Sequence, residues 1–149
     1  MRKSLSDAIF VWDTTSVPDG AYTIKVVASD AASNTPGAAL QGELESTAFE
    51  IDNTPPGITV TGSRRDGGRV TLIFTVRDEE SPVQKVEYSL KAERWQTLYP
   101  KDGIFDSRVE DFELTLEGDA LAEGVIIRAI DAKNNVATRH ADAPPERNR

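Results

Sequence analysis

The chain has 149 residues, a length that allows one domain or one and a fraction, and 38% of them are hydrophobic, which supplies a modest core. It has a formal net charge of −8 and no cysteine, so a disulfide framework, a thiolate metal site and a cysteine nucleophile are excluded. Binding to a phosphate backbone or an anionic membrane depends on clustered Lys and Arg, so the acidity points away from nucleic acid and towards solubility. No run approaches the roughly 18 apolar residues that span a bilayer, so membrane insertion is not expected. Met1-Arg2-Lys3-Ser4-Leu5-Ser6-Asp7 has a basic pair but lacks the apolar region of a secretory signal; if the parent protein is exported, its signal lies upstream.

Residues 8–12 form a short apolar run, and Pro18-Asp19-Gly20 supplies turn chemistry. Tyr22, Ile24, Val26 and Ala28 then alternate with Thr23, Lys25, Val27 and Ser29, the period of a strand with one buried face. Residues 31–41, rich in Ala, Ser, Asn, Pro and Gly, read as the loop of a long hairpin whose return strand is residues 46–51. This makes about three strands, too few to cover both faces of a core. Either strands upstream of this chain or the module that follows completes the packing.

Thr54-Pro55-Pro56-Gly57 is a stiff boundary, because neither Pro donates to a ladder and each restricts its predecessor. Residues 58–61 form a strand, and Ser63-Arg64-Arg65-Asp66-Gly67-Gly68 its turn, with Asp66-Gly67 as the reversing pair. Val70, Leu72, Phe74 and Val76 share one apolar face, and Asp78-Glu79-Glu80-Ser81-Pro82 breaks the chain. Residues 83–90 follow with Val86, Tyr88 and Leu90 on one side and Glu87 and Ser89 on the other. Residues 95–99 answer across 91–94, and Trp95 is expected to plug the core between sheets. After the turn Pro100-Lys101-Asp102-Gly103, Phe112, Leu114 and Leu116 face inward, and residues 125–130 and 136–140 close as a hairpin. Seven short strands with turn residues between them predict an all-β, antiparallel β-sandwich. Residues 141–149, with Pro144-Pro145 and no apolar anchor, are expected to be disordered, as is the start of the chain.

The last hairpin has an upstream copy: Ala-x-Asp with an Asn four residues after the Asp occurs at Asp30 and Asn34 and again at Asp131 and Asn135. The two lie about one small domain apart, which suggests tandem modules. Val17-x-x-Gly20-x-Tyr22-x-Ile24-x-Val26-x-Ala28 resembles the tyrosine corner and sixth strand of fibronectin type III and immunoglobulin-like (Ig-like) sandwiches. That likeness implies a Tyr22 hydroxyl bonded back to upstream backbone.

Asp52-Asn53-Thr54-Pro55-Pro56, Ser81-Pro82-Val83 leading to Val86-Glu87-Tyr88-Ser89-Leu90 and Trp95, Asp102-Gly103-Ile104-Phe105-Asp106-Ser107, and Arg128-Ala129-Ile130-Asp131 with Asn135 extend the likeness. They are similar to Ig-like or fibronectin type III-like repeats near the C-termini of large bacterial proteins, where repeats follow a β-propeller or an enzyme domain. The resemblance covers residues 54–140 as a complete domain and 8–53 as the C-terminal half of a similar module, which with its disordered start takes in residues 1–53. Two departures stand out: Lys91-Ala92-Glu93 replaces the usual Asp-Gly turn, and the strand of residues 124–131 is shorter than its upstream copy. The resemblance implies a non-catalytic spacer or docking module of a larger, exported bacterial protein, extracellular or periplasmic, whose partners are the parent's other domains, a protein or a glycan; its alternatives are a carbohydrate- or protein-binding module using exposed aromatics and an accessory domain of an upstream propeller or enzyme.

No catalytic or cofactor-binding residue is assigned, and no cofactor is expected. His140 has no Gly-x-Ser-x-Gly elbow beside it. The Gly- and Arg-rich residues 62–69 lack the Gly-Lys-Ser/Thr ending of a phosphate loop and read as a hairpin turn. No carboxylate spacing selects a glycosidase pair. No metal ligand is assigned either, though one metal reading stays open. Asp78, Glu79 and Glu80 on one turn, with Asp131 and Asn135 on another, can meet at one end of the sandwich and offer oxygens to Ca²⁺. Its competitor is that Asp131 and Asn135, like Asp30 and Asn34, bond their own turn backbone. A ligand-stacking platform would need Trp12, Trp95 or Tyr99 exposed.

Overall fold

The computed structural model describes residues 9–117, 120 and 124–141. They are built of antiparallel strands, and the chain divides into two compact units between Asn53 and Thr54. Among the described residues no helix is long and apolar enough to cross a membrane. The expected disorder of residues 1–8 and 142–149 lies outside the described residues.

In the first unit a 3-10 turn, Thr14–Ser16, is capped by Asp13, whose carboxylate accepts the Thr15 N–H at 3.0 Å. Four short strands follow: β1 (Gly20–Tyr22), β2 (Lys25–Ser29), β3 (Gln41–Glu45) and β4 (Phe49–Ile51). β1 pairs with β4 and β2 with β3, in separate sheets. The strand expected through residues 22–28 is therefore split, and its face is not buried. Val26 stands opposite Leu44, and the two are 60% and 77% exposed. Two-residue alternation shows which side chains share a face, but a lone hairpin has no second layer to cover that face. The long loop is present, yet the return strand begins at Gln41 rather than at Ser46. Gln41-Gly42-Glu43-Leu44-Glu45 has a weak strand signature, and pairing with β2, including a 2.8 Å ion pair from Lys25 to Glu43, makes it one. Elsewhere in this unit Trp12 packs edge-on against Tyr22 and Phe49 at 6.0 and 6.3 Å. The Tyr22 hydroxyl donates to the Pro18 carbonyl at 2.6 Å, the backward bond that the resemblance implied.

The second unit contains β5 (Gly57–Asp66), β6 (Arg69–Arg77), β7 (Val83–Leu90), β8 (Arg94–Thr97), β9 (Val109–Glu117), β10 (Val125–Asp131) and β11 (Val136–Ala141). They form a three-stranded sheet, β5-β6-β9, and a four-stranded sheet, β11-β10-β7-β8. One apolar cluster draws on both, with Leu72, Phe74, Phe112 and Leu114 from the first and Val86, Val125, Ile127 and Ala129 from the second. That arrangement is compatible with a β-sandwich. Register explains the tight middle. Phe74 lies directly opposite Phe112 and Leu72 opposite Leu114, and the two Phe rings stack at 5.1 Å. Arg139 on β11 donates to the Ile58 carbonyl on β5 at 2.7 Å and joins the two sheets at that edge.

Four expectations are corrected here. β5 continues to Asp66, so the reversing pair is Gly67-Gly68, with φ of +55° and +87°. Positive φ at both central residues is what a two-residue type I′ hairpin requires. β8 ends at Thr97, short of the expected residue 99. Trp95 is absent from the core cluster. It lies across from Ser89 on the other face of the four-stranded sheet, because its parity matches Ser89 and Glu87 rather than Val86 and Tyr88. Finally, Ala141 is a buried strand residue paired with Val125, so the ordered domain extends one residue beyond the expected limit.

Candidate functional site

Two inward-facing rows of side chains lead to one end of the second unit. Along β6 the buried apolar positions are Val70, Leu72, Phe74 and Val76, and the next step of the same alternation is Asp78. Along β10 they are Val125, Ile127 and Ala129, and the next is Asp131. A register shift between Ile130 and Asp131 sets Asp131 opposite Val83, and such bulges re-aim side chains at strand ends. Asp78 is 4% exposed and Asp131 0%. An acidic group therefore terminates the apolar layer on each sheet.

Each Asp is held by its own loop. Asp78 Oδ1 accepts the N–H groups of Glu80 at 2.9 Å and Ser81 at 2.7 Å. Asp131 Oδ1 accepts those of Lys133 and Asn135, both at 2.8 Å, and its Oδ2 accepts the Asn135 amide at 2.8 Å. These are Asx-type turns, in which a short carboxylate replaces the missing backbone partner. The two loops are joined where the Ala132 N–H donates to the Pro82 carbonyl at 2.9 Å. A carboxylate oxygen of Asp78 lies within 4.8 Å of one of Asp131. Nearby, Glu110 is also buried and accepts the N–H groups of Asp106 and Ser107 at 3.1 and 2.9 Å.

Of the five residues considered for calcium, Asp78 and Asp131 converge, and Asn135 is bonded to Asp131. Glu79 does not join them, because Arg77 holds it at 2.8 and 3.2 Å. That hydrogen bond keeps the Glu79 carboxyl below the usual range. Glu80 points to solvent. The turn-making reading holds for Asp131, which accepts two N–H groups of its turn, while the Asn135 amide donates to the Asp131 carboxylate. The upstream copy differs: Asp30 Oδ1 accepts the distant Leu40 N–H at 2.7 Å, and the Asn34 amide donates to the Asp30 carbonyl at 3.0 Å. The spacing of Asp and Asn revealed the turns, but not that Asp78 is buried. Extending each alternating apolar row by one step would have revealed it.

The remaining candidates fall in other places. His140 is exposed on β11. Within the Arg-rich hairpin, Arg64 pairs with Glu113 at 3.4 Å and Arg69 with Glu117 at 3.0 Å. Of the three rings, Tyr99 is 65% exposed, while Trp12 and Trp95 are half-buried. One face of Trp95 is taken by the Arg128 guanidinium, 4.0 Å from the ring centroid. Arg128 also binds Glu87, its cross-strand partner, at 3.0 and 2.5 Å. Lys85 reaches the other Glu87 oxygen at 2.6 Å. The Lys85 hydrogen bond, with Arg128 adding to it and burial opposing, holds the Glu87 carboxyl below its usual range. Comparison of the chain with protein-family models, with curated proteins and with solved structures finds no match.

Proposed function

We infer that this chain is a non-catalytic structural module of a larger, exported bacterial protein, where it serves as a spacer or docking domain. The second unit is read as a complete Ig-like or fibronectin type III-like domain, and the first as the C-terminal half of a similar one. Strand order carries this reading. With β5 to β11 lettered A, B, C, C′, E, F and G, the sheets are A-B-E and G-F-C-C′. The Ig constant arrangement is ABED over CFG; here the fourth strand lies beside C instead of beside E. The exposed Val26 and Leu44 in the first unit support the half-module reading, since a hairpin of a sandwich normally buries one face. Of the three rings considered as a glycan platform, Tyr99 is exposed while Trp12 and Trp95 are half-buried, which makes stacking recognition the weaker alternative.

Hydrogen exchange on a longer protein that includes upstream sequence tests the proposal. The β2–β3 amides should exchange at least about tenfold more slowly there than in the 149-residue chain, because burial closes local opening. Cell fractionation of the source organism should recover the parent outside the cytoplasm. Unchanged exchange together with a cytoplasmic parent would remove both halves of the reading.

A further inference from the structure

We propose that Asp78 and Asp131 hold a divalent cation of calcium's class between the two sheets at the loop end of the second unit. The inference does not depend on the module reading above. Asp78 Oδ1 is occupied by its turn, but Oδ2 is fully buried and accepts no hydrogen bond. Buried carboxylate oxygens without a partner are rare, and each calls for an explanation. This one belongs to a side chain whose carboxylate lies within 4.8 Å of a second fully buried carboxylate. Two acidic groups this close in a dry layer repel unless a positive charge lies between them. Among the described residues no basic side chain pairs with either, since Arg77 is committed to Glu79 and Arg128 to Glu87.

The donor set suits calcium, which takes six to eight oxygens, carboxylate and backbone carbonyl among them, in flexible geometry, whereas magnesium demands a near-ideal octahedron and keeps several of its waters. Both carboxylates are fixed in advance by backbone N–H groups of their turns, so little ordering is required on binding. Loop carbonyls and water complete the shell. The ion would cross-link the 78–82 loop to the 131–135 turn, one from each sheet, and so tie the two layers together.

Calorimetric titration of the EDTA-treated 149-residue protein, with thermal unfolding by circular dichroism, tests this. Calcium chloride should give binding heat and raise Tm by roughly 5–10 °C at a concentration about 100-fold above Kd. Magnesium chloride should do far less. Asp78→Asn keeps an Oδ1 acceptor for Glu80 and Ser81 but removes the charge. It should lose the calcium response and, without metal, melt no lower than metal-free wild type. Glu80→Gln, altered at an exposed neighbour, should respond like wild type. No heat and no shift in wild type overturns the proposal. An equal shift in Asp78→Asn, a lost response in Glu80→Gln, or a response to magnesium alone also overturns it. The wild-type titration decides by itself if Asp78→Asn does not fold.

Discussion

Replacing Phe112 with Ala perturbs the apolar layer at its middle. The side chain is fully buried, its ring stacks on Phe74 at 5.1 Å with 12° between planes, and it meets Phe105 at 6.2 Å. Truncation forfeits the transfer energy of the ring and leaves a cavity. The walls of that cavity are strands held in place by their ladders, so collapse is limited. Phe→Ala at such sites costs about 3–5 kcal/mol. The stacked pair contributes about 0.5–1.5 kcal/mol beyond area, which places the expected loss in the upper half of that range. Phe112→Leu keeps most of the volume and should cost only about 1–2 kcal/mol. A cycle replacing Phe74 and Phe112 singly and together by Leu should return a coupling of about 0.5–1.5 kcal/mol. Urea titration followed by far-UV circular dichroism and tryptophan fluorescence measures each value. Leu44→Ala on the exposed hairpin is the control and should stay within about 0.5 kcal/mol of wild type. A loss below about 1 kcal/mol for Phe112→Ala, or an equal loss for Leu44→Ala, would refute the assignment of the core.

Two further outcomes follow from local geometry. Lys91 and Ala92 both adopt φ of +58°, a left-handed conformation that costs an L-residue with a Cβ about 1–2 kcal/mol. Ala92→Gly should therefore raise stability by about 1 kcal/mol in the same titration; destabilisation would show that the turn is not strained. Glu87, usual value 4.5, has its folded pKa lowered by Lys85 and Arg128. A lowered folded value means that the unfolded chain takes up the proton first. The stabilisation is thus complete above the usual value and is lost as pH falls through the folded one. Thermal unfolding between pH 3 and pH 7 should show Glu87→Gln less stable than wild type at neutral pH, with the gap closing in acid; a gap that widens in acid would reverse the sign argument.

The sequence by itself determined the strands that pack. The alternation of Val70, Leu72, Phe74 and Val76 and of Phe112, Leu114 and Leu116 is strict, and that period alone puts each set on one face of its pleated strand. The boundary prolines and the Asp-to-Asn turns were equally legible, since those residue types act on the backbone within a few positions of themselves. Where the outcome depended on partners distant in sequence, only the tertiary structure decided it. Val26 belongs to the same kind of alternation as the core rows but lies open, as does Leu44 opposite it, because nothing in a strand's own residues states whether a second layer exists. Trp95 is large and apolar, yet parity and the Arg128 guanidinium hold it on the outer face. Asp78 read as one of three turn carboxylates. Its approach to Asp131 arises only when two sheets close over a shared layer, and that closure leaves a buried oxygen without a partner.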